Sequence, residues 1–336
     1  MLLLVGCRSR NEVEQSSDAV ANVDALWQII DEKYCYVEEK NIDWYAIGQD
    51  YREQARQLNA RAISDSMSSV DYRIALFDLM ASMLDSLRDG HVNLYTPFDV
   101  SRNSSWYEDY PANFNSQLQR PYLGDYRTAG GLYYNKIDND SIGYIYYNSF
   151  SSSCSNSALA WILTQFKSCR GIVLDIRQNG GGDMTNADQL ASIFFREDRT
   201  IGYWQHKTGP GHTDFSQPEP QRITANTSIQ WRKPVIVLTN RRCYSAANYF
   251  TGAMKNADNC LVIGGKTGGG GGMPMSYELP IGWTVRFSSV RMMDLEMQSI
   301  EDGIDPDVEV TQMSNNQDDL IEKAIEIINK AYDKSK

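Results

Sequence analysis

Apolar positions recur with a helical period in the first hundred residues and with a mixed strand and helix pattern beyond about residue 127. Val20, Val23, Trp27 and Ile30 are spaced by three to four residues, which predicts an amphipathic helix over 17–31. A second helix is expected over 44–58. A third is expected over 70–87, with Leu76, Met80, Met83, Leu84 and Leu87 on one side as a core-facing stripe. Gly90 is a natural helix stop, and the alternation around Val92 and Leu94 predicts a short strand. Residues 98–127 carry Trp106, Tyr107, Tyr110 and Pro111 among polar residues without a period, and read as an irregular connector. Strands are then expected over 132–136, 142–147, 171–176, 234–239 and 260–264, with helices over 157–167, up to about 195, and after Ser245. A hairpin around Pro280-Ile281-Gly282 and a last helix over 318–332 complete the pattern. The expectation is a small helical domain, 18–97, followed through the connector by an α/β core over 128–336.

A chain of 336 residues has room for about two such domains. Its net charge of −11 argues against a nucleic-acid partner, because no basic stripe is available to neutralise phosphates. Leu4-Val5-Gly6-Cys7 resembles a bacterial lipobox, so residues 1–17 read as the remnant of a lipoprotein signal and a polar tether, with a lipid anchor at Cys7. An exported protein held at the cell envelope is the implied location. The other five cysteines, Cys35, Cys154, Cys169, Cys243 and Cys260, have no zinc-type spacing, and no metal or cofactor is expected. At most two disulfides could form. Cys243 could pair with Cys260 or simply pack beside the turn it occupies.

That turn holds the main candidate for chemistry. Pro234–Thr239 is a buried strand, Ala246, Ala247, Phe250 and Ala253 fall on one helical face, and Ser245 stands between them. A serine there exposes its hydroxyl at a sheet edge beside unpaired backbone N–H groups, as a nucleophile requires; the plain alternative is a helix N-cap. The chain has three histidines, and His206 and His212 lie in a loop rich in Gly and Pro, which leaves His91 as the favoured base. Gly180-Gly181-Gly182 between a strand and a helix would let backbone amides approach a negative oxygen. It matches neither phosphate-binding glycine pattern. Glu301 alone could be a solvated acid, and Asp175 with Arg177 a structural ion pair.

Four stretches in order, Asp89-Gly90-His91, Asp175 to Gly182, Asn240 to Phe250 and Ile300 to Asp307, resemble serine peptidase family S41, the C-terminal processing and tricorn-like peptidases. The resemblance implies a ClpP/crotonase-like peptidase core, a peptide or protein substrate, and a lipoprotein of the kind found in Bacteroidota. It further implies Ser245 as nucleophile, His91 as general base and Glu301 as orienting acid, the tricorn-like arrangement. Ala246 and the glycine turn, Gly181 first and Gly180 as alternative, would form the oxyanion hole. In the processing branch a lysine acts as base, but its position here is Gly270; Lys266 is the nearby alternative. Where the tricorn pattern has a supporting serine, this chain has Gly90. A peptide-binding lipoprotein of the same fold without catalysis is the other alternative. With His91 as base, activity is expected to fall as the imidazole protonates, about pH 6 to 7 for an unperturbed group and elsewhere if burial moves it.

Overall fold

The computed structural model describes residues 17–334, so Cys7 and the tether lie outside the described residues. The described residues divide into two compact units: 17–105, 205–217 and 272–291 form one, and 106–204, 218–271 and 292–334 the other. The first division falls inside the expected connector, between Ser105 and Trp106. The sequence pattern does not reveal that the 272–291 hairpin returns to the helical unit.

In the helical unit the three expected helices span Ala19–Lys33, Trp44–Ser64 and Ser69–Asp85. Each begins at a side-chain cap: Asp18, Asp43 and Ser68 accept from backbone N–H groups of the first turn. Val23, Leu26, Ile30, Leu76, Met80 and Met83 are buried, as their spacing requires. They pack in one core with Trp283, Val285 and Phe287. These last come from the strand Thr284–Met293, which pairs antiparallel with Gly272–Glu278 on one side and with Asn93–Tyr95 on the other. The expected hairpin is therefore real, and its apolar face is what the helices cover.

The second unit is built on a seven-stranded sheet in the order Val308–Glu309, Cys260–Gly264, Val235–Thr239, Ile172–Asp175, Ile142–Tyr146, Leu132–Ile137 and Arg127–Ala129. The first five run parallel, and the last two are joined on as antiparallel neighbours. Asp138, Asn139 and Asp140 turn between two of them at positive φ, from 50° to 62°, a conformation Asn and Asp tolerate. Val173, Ile236, Leu238 and Ile263 are buried against Leu320, Ile321, Ala324 and Ile328 of the C-terminal helix Asp319–Lys334. Continuous apolar runs are what a parallel sheet covered by helices needs.

Four elements depart from expectation. The connector contains helices Ser105–Glu108 and Ser116–Leu123, the second carrying Pro121, and the 200–233 excursion contains strands Arg199–His206 and Glu219–Ile223. The five cysteines among the described residues are free thiols, including Cys243 and Cys260. The Cys243 thiol donates to the Ile176 carbonyl at 3.1 Å, and burial pushes it up to about 12, so it is packing rather than reactive.

Candidate active site

Three neighbouring parallel strands, Ile172–Asp175, Val235–Thr239 and Cys260–Gly264, end at one edge of the sheet. Their following loops are the glycine turn 180–182, the Ser245 turn and the glycine loop 268–271. A parallel sheet delivers such loops side by side at its carboxyl edge, where ligands of open α/β sheets bind.

Ser245 is the last residue before the helix Ala246–Lys255 and has φ 56° and ψ −119°. For a residue with a Cβ this is a strained backbone, of order 1–3 kcal/mol, which persists only where the surroundings enforce it. The sequence alternative of a simple N-cap is not what forms, since the Ser245 side chain makes no capping hydrogen bond to the helix. Its backbone is held instead by the glycine loop, the Ser245 N–H donating to the Gly269 carbonyl at 2.8 Å. Tyr244, the preceding residue, is stacked on Trp106 with ring centres 4.0 Å apart. Arg241 and Arg242 lie over the rings of Tyr110 and Tyr107. The aromatic connector thus braces the serine turn from its N-terminal side.

Gly181 meets the serine directly. A Cβ added there would stand 2.8 Å from Ser245 Cβ and 3.0 Å from the Ala246 nitrogen, and its φ of 97° also favours glycine. Its N–H, however, donates to Asn179 Oδ1 at 3.0 Å, so the expected first choice of oxyanion donor is engaged elsewhere. Gly180 is exposed, with no atom within 4 Å of where its Cβ would be. Ala246, the first helical residue, has no intrahelical acceptor for its N–H.

Glu301 is buried, at 5 % exposure, and is tied to the same loop. The Gly270 N–H donates to the Glu301 carbonyl at 3.0 Å, while a Cβ on Gly269 would come within 1.8 Å of that oxygen. The Glu301 turn is further pinned to the serine helix through Asn248, whose Nδ2 donates to the Ile300 carbonyl at 2.9 Å. Thr267 Oγ1 donates to Asn248 Oδ1 at 2.6 Å and accepts from the Ile304 N–H at 2.6 Å. At Gly270, where the processing branch would carry its lysine, a Cβ would lie 2.5 Å from the Tyr244 ring, so no side chain fits. The alternative, Lys266, is half-exposed and 4.0 Å from Asp305. It lines a cavity of about 640 Å³ together with Tyr249, Gly252 and Asn256 of the serine helix. The structure gives a Ser–Lys dyad no support.

His91 belongs to the helical unit and is buried. Its N–H donates to Asp89 Oδ1 at 2.7 Å, and the hydroxyl of Tyr34 donates to Asp89 Oδ2 at 2.8 Å. Burial opposes the charge on Asp89, but Lys40, His91 and these hydrogen bonds hold it below the usual carboxylate range. The His91 Nδ1 lies 3.3 Å from the hydroxyl of Ser288, a residue that sequence reasoning missed. Burial pushes the imidazole down to about 4; Asp89 works against this, and Arg286 and Lys40 add to it. Burial thus moves the expected fall of activity below the pH 6 to 7 of an unperturbed imidazole. With His91 as base, kcat/KM should hold down to about pH 5 and fall through about pH 4. A pH–rate profile with its acidic midpoint at 6 to 7 would contradict this.

The same group bears on stability. The unfolded chain takes up this proton near 6.5 and the folded chain only near 4. Stability is therefore lost as pH falls through that window, on the order of 3 kcal/mol in total.

The profile of peptidase family S41 matches residues 141–310, half of the chain. The chain belongs to peptidase family S41. Among curated S41-type relatives it is 27 % identical over 177 residues to the carboxy-terminal processing protease CtpA of Bacillus subtilis, covering 52 % of this chain and 36 % of that one. It is 29 % identical over 175 residues to a probable CtpA-like serine protease of Staphylococcus epidermidis, covering 51 % and 34 %. The chain thus spans about a third of the length of these relatives. Among solved structures, a Parabacteroides merdae protein provisionally called a peptidase is 42 % identical, with TM-score 0.84 over 93 % of this chain and 96 % of that one. Mature CPAF in complex with lactacystin shares the fold, with TM-score 0.67, 13 % identity, and 94 % and 97 % coverage. The fold is accordingly the S41 peptidase fold with an N-terminal helical region.

Proposed function

We propose that the chain is a serine peptidase that cleaves peptide bonds through an acyl-enzyme on Ser245. His91 takes the serine proton and later returns it to the leaving amine, while Glu301 supplies negative charge to the protonated imidazole. The developing oxyanion is held by the Ala246 N–H, with Gly180 rather than Gly181 as the second donor. The observation that carries this reading is the strained Ser245 turn, held against Gly181 and the glycine loop at the carboxyl edge of the sheet. A capping serine gains nothing from such strain, whereas a nucleophile uses it to present its hydroxyl.

The test is intact mass after incubation with a fluorophosphonate. The expected result is one adduct on the wild type and none on Ser245→Ala or His91→Ala. An adduct on Ser245→Ala, or none on folded wild type after peptide or lactone probes have also been tried, would favour a peptide-binding protein without catalysis.

We place the protein at the cell envelope, exported and anchored through Cys7, on the strength of Leu4-Val5-Gly6-Cys7. In a bacterial host, full-length protein should fractionate with membranes and Cys7→Ser should release it. Equal solubility of the two would reject the anchor.

A further inference from the structure

We propose that Ser288 is the positioning residue for His91, its hydroxyl accepting the Nδ1 proton so that Nε2 carries the lone pair used in proton transfer. The inference rests on the reading of His91 as general base. It assigns to Ser288 the supporting place left open where the family pattern has a serine before the histidine and this chain has Gly90.

Ser288 lies on the strand Thr284–Met293 and is fully buried. Its hydroxyl is 3.3 Å from Nδ1, at the long end for a hydrogen bond, as catalytic contacts often are before substrate binds. The neighbouring strand makes room for it. A Cβ on Gly272 would come 2.4 Å from both Ser288 Cβ and Oγ, so any larger residue there would displace the hydroxyl.

Across the ladder Ser288 faces Pro274, which has no N–H to offer. The Ser288 carbonyl is bonded instead by the Cys35 N–H at 3.1 Å. That contact closes a circuit. Cys35 follows Tyr34, the Tyr34 hydroxyl donates to Asp89, Asp89 accepts from the His91 N–H, and the His91 ring returns to Ser288. Histidine backbone and ring are thus fixed by separate partners, the backbone by a carboxylate and Nδ1 by a neutral hydroxyl.

The chemistry of that partner matters. Burial, helped by Arg286 and Lys40, outweighs Asp89 and keeps the imidazole neutral. In a neutral ring, which nitrogen holds the proton is set by the bond the other makes. If Oγ accepts from Nδ1–H, Nε2 is a base. If Oγ donates instead, Nε2 carries the proton and the ring cannot take one from Ser245. The proposal selects the first arrangement.

The test is Ser288→Ala, a deletion of one buried oxygen. Tautomer is read by ¹⁵N NMR of His91, and kinetics by kcat and KM separately. The wild type should show the Nδ1–H tautomer at pH 7 and the variant a mixture. The variant's kcat should fall roughly 10- to 100-fold with KM unchanged, the range typical of lost histidine-orienting partners. An unchanged tautomer in folded Ser288→Ala, or a wild-type ring protonated on Nε2, would overturn the proposal. Turnover retained by His91→Ala would instead reject His91 as base while the tautomer result stood on its own, so the two failures are distinguishable.

Discussion

Ser245→Ala and His91→Ala should each lower kcat by about 10⁴- to 10⁶-fold, and the double variant should lose no more than the worse single one. In the proposed mechanism nucleophile and base act as one unit, so removing either removes the unit. What remains is the catalysis due to binding and the oxyanion donors. The strained Ser245 turn makes the alanine variant a clean test. Its backbone N–H donates to the Gly269 carbonyl and its carbonyl accepts from the Tyr249 N–H, and neither contact involves the hydroxyl. The measurement is hydrolysis of fluorogenic peptides by proteins shown to be folded by their melting transitions. Losses that add in the double variant would mean that the two residues serve separate steps. Retained turnover in Ser245→Ala would remove the acyl-enzyme altogether.

What the sequence reveals of this arrangement depends on how local its cause is. The strand over 234–239, the serine turn and the helix behind it are set by neighbouring residues, and they form where the apolar pattern puts them. The same holds for the three capped N-terminal helices. The strand Arg199–His206 escapes notice because its burial does not alternate cleanly, Ile201 and Gly202 being buried in succession, and Glu219–Ile223 because one of its two buried positions is the polar Gln221. Ser116–Leu123 escapes because eight residues with a proline carry too weak a helical signal. Ser288 is the clearest case. A serine in a strand has no distinguishing pattern, and its meaning comes from His91, nearly two hundred residues earlier in the chain. The engagement of the Gly181 N–H is similar, since only the position of Asn179 Oδ1 shows it.

Arg177 is legible in part as an ion pair with Asp175, and the structure shows why its loss should be severe. Arg177→Met is expected to destabilise the folded state by about 3–5 kcal/mol at pH 7. The guanidinium is fully buried. It donates to Asp175 Oδ2 at 2.7 Å and to Asp318 Oδ2 at 2.8 Å, with a second bond to each. Asp318 in turn accepts from the N–H groups of Leu320 and Ile321, so the arginine ties the start of the C-terminal helix to the end of the central strand. Asp175 also accepts from the hydroxyl of Tyr144 at 2.8 Å. Removing the cation leaves two carboxylates in a dry interior with nothing to balance them, and this penalty exceeds the value of the pair itself. Replacing Asp175, Arg177 and Asp318 together by apolar residues of similar volume should cost far less than Arg177→Met alone. Thermal melts of both variants at pH 7 decide the matter. A fall in Tm of only a degree or two for Arg177→Met would mean that water reaches the carboxylates and the network is not the anchor. Because Arg177 immediately precedes Gln178, at φ 69°, and the glycine turn, the same variant should also lose fluorophosphonate labelling at temperatures where it remains folded. The buried cation is thus expected to set the position of the oxyanion turn as well as the stability of the sheet that carries it.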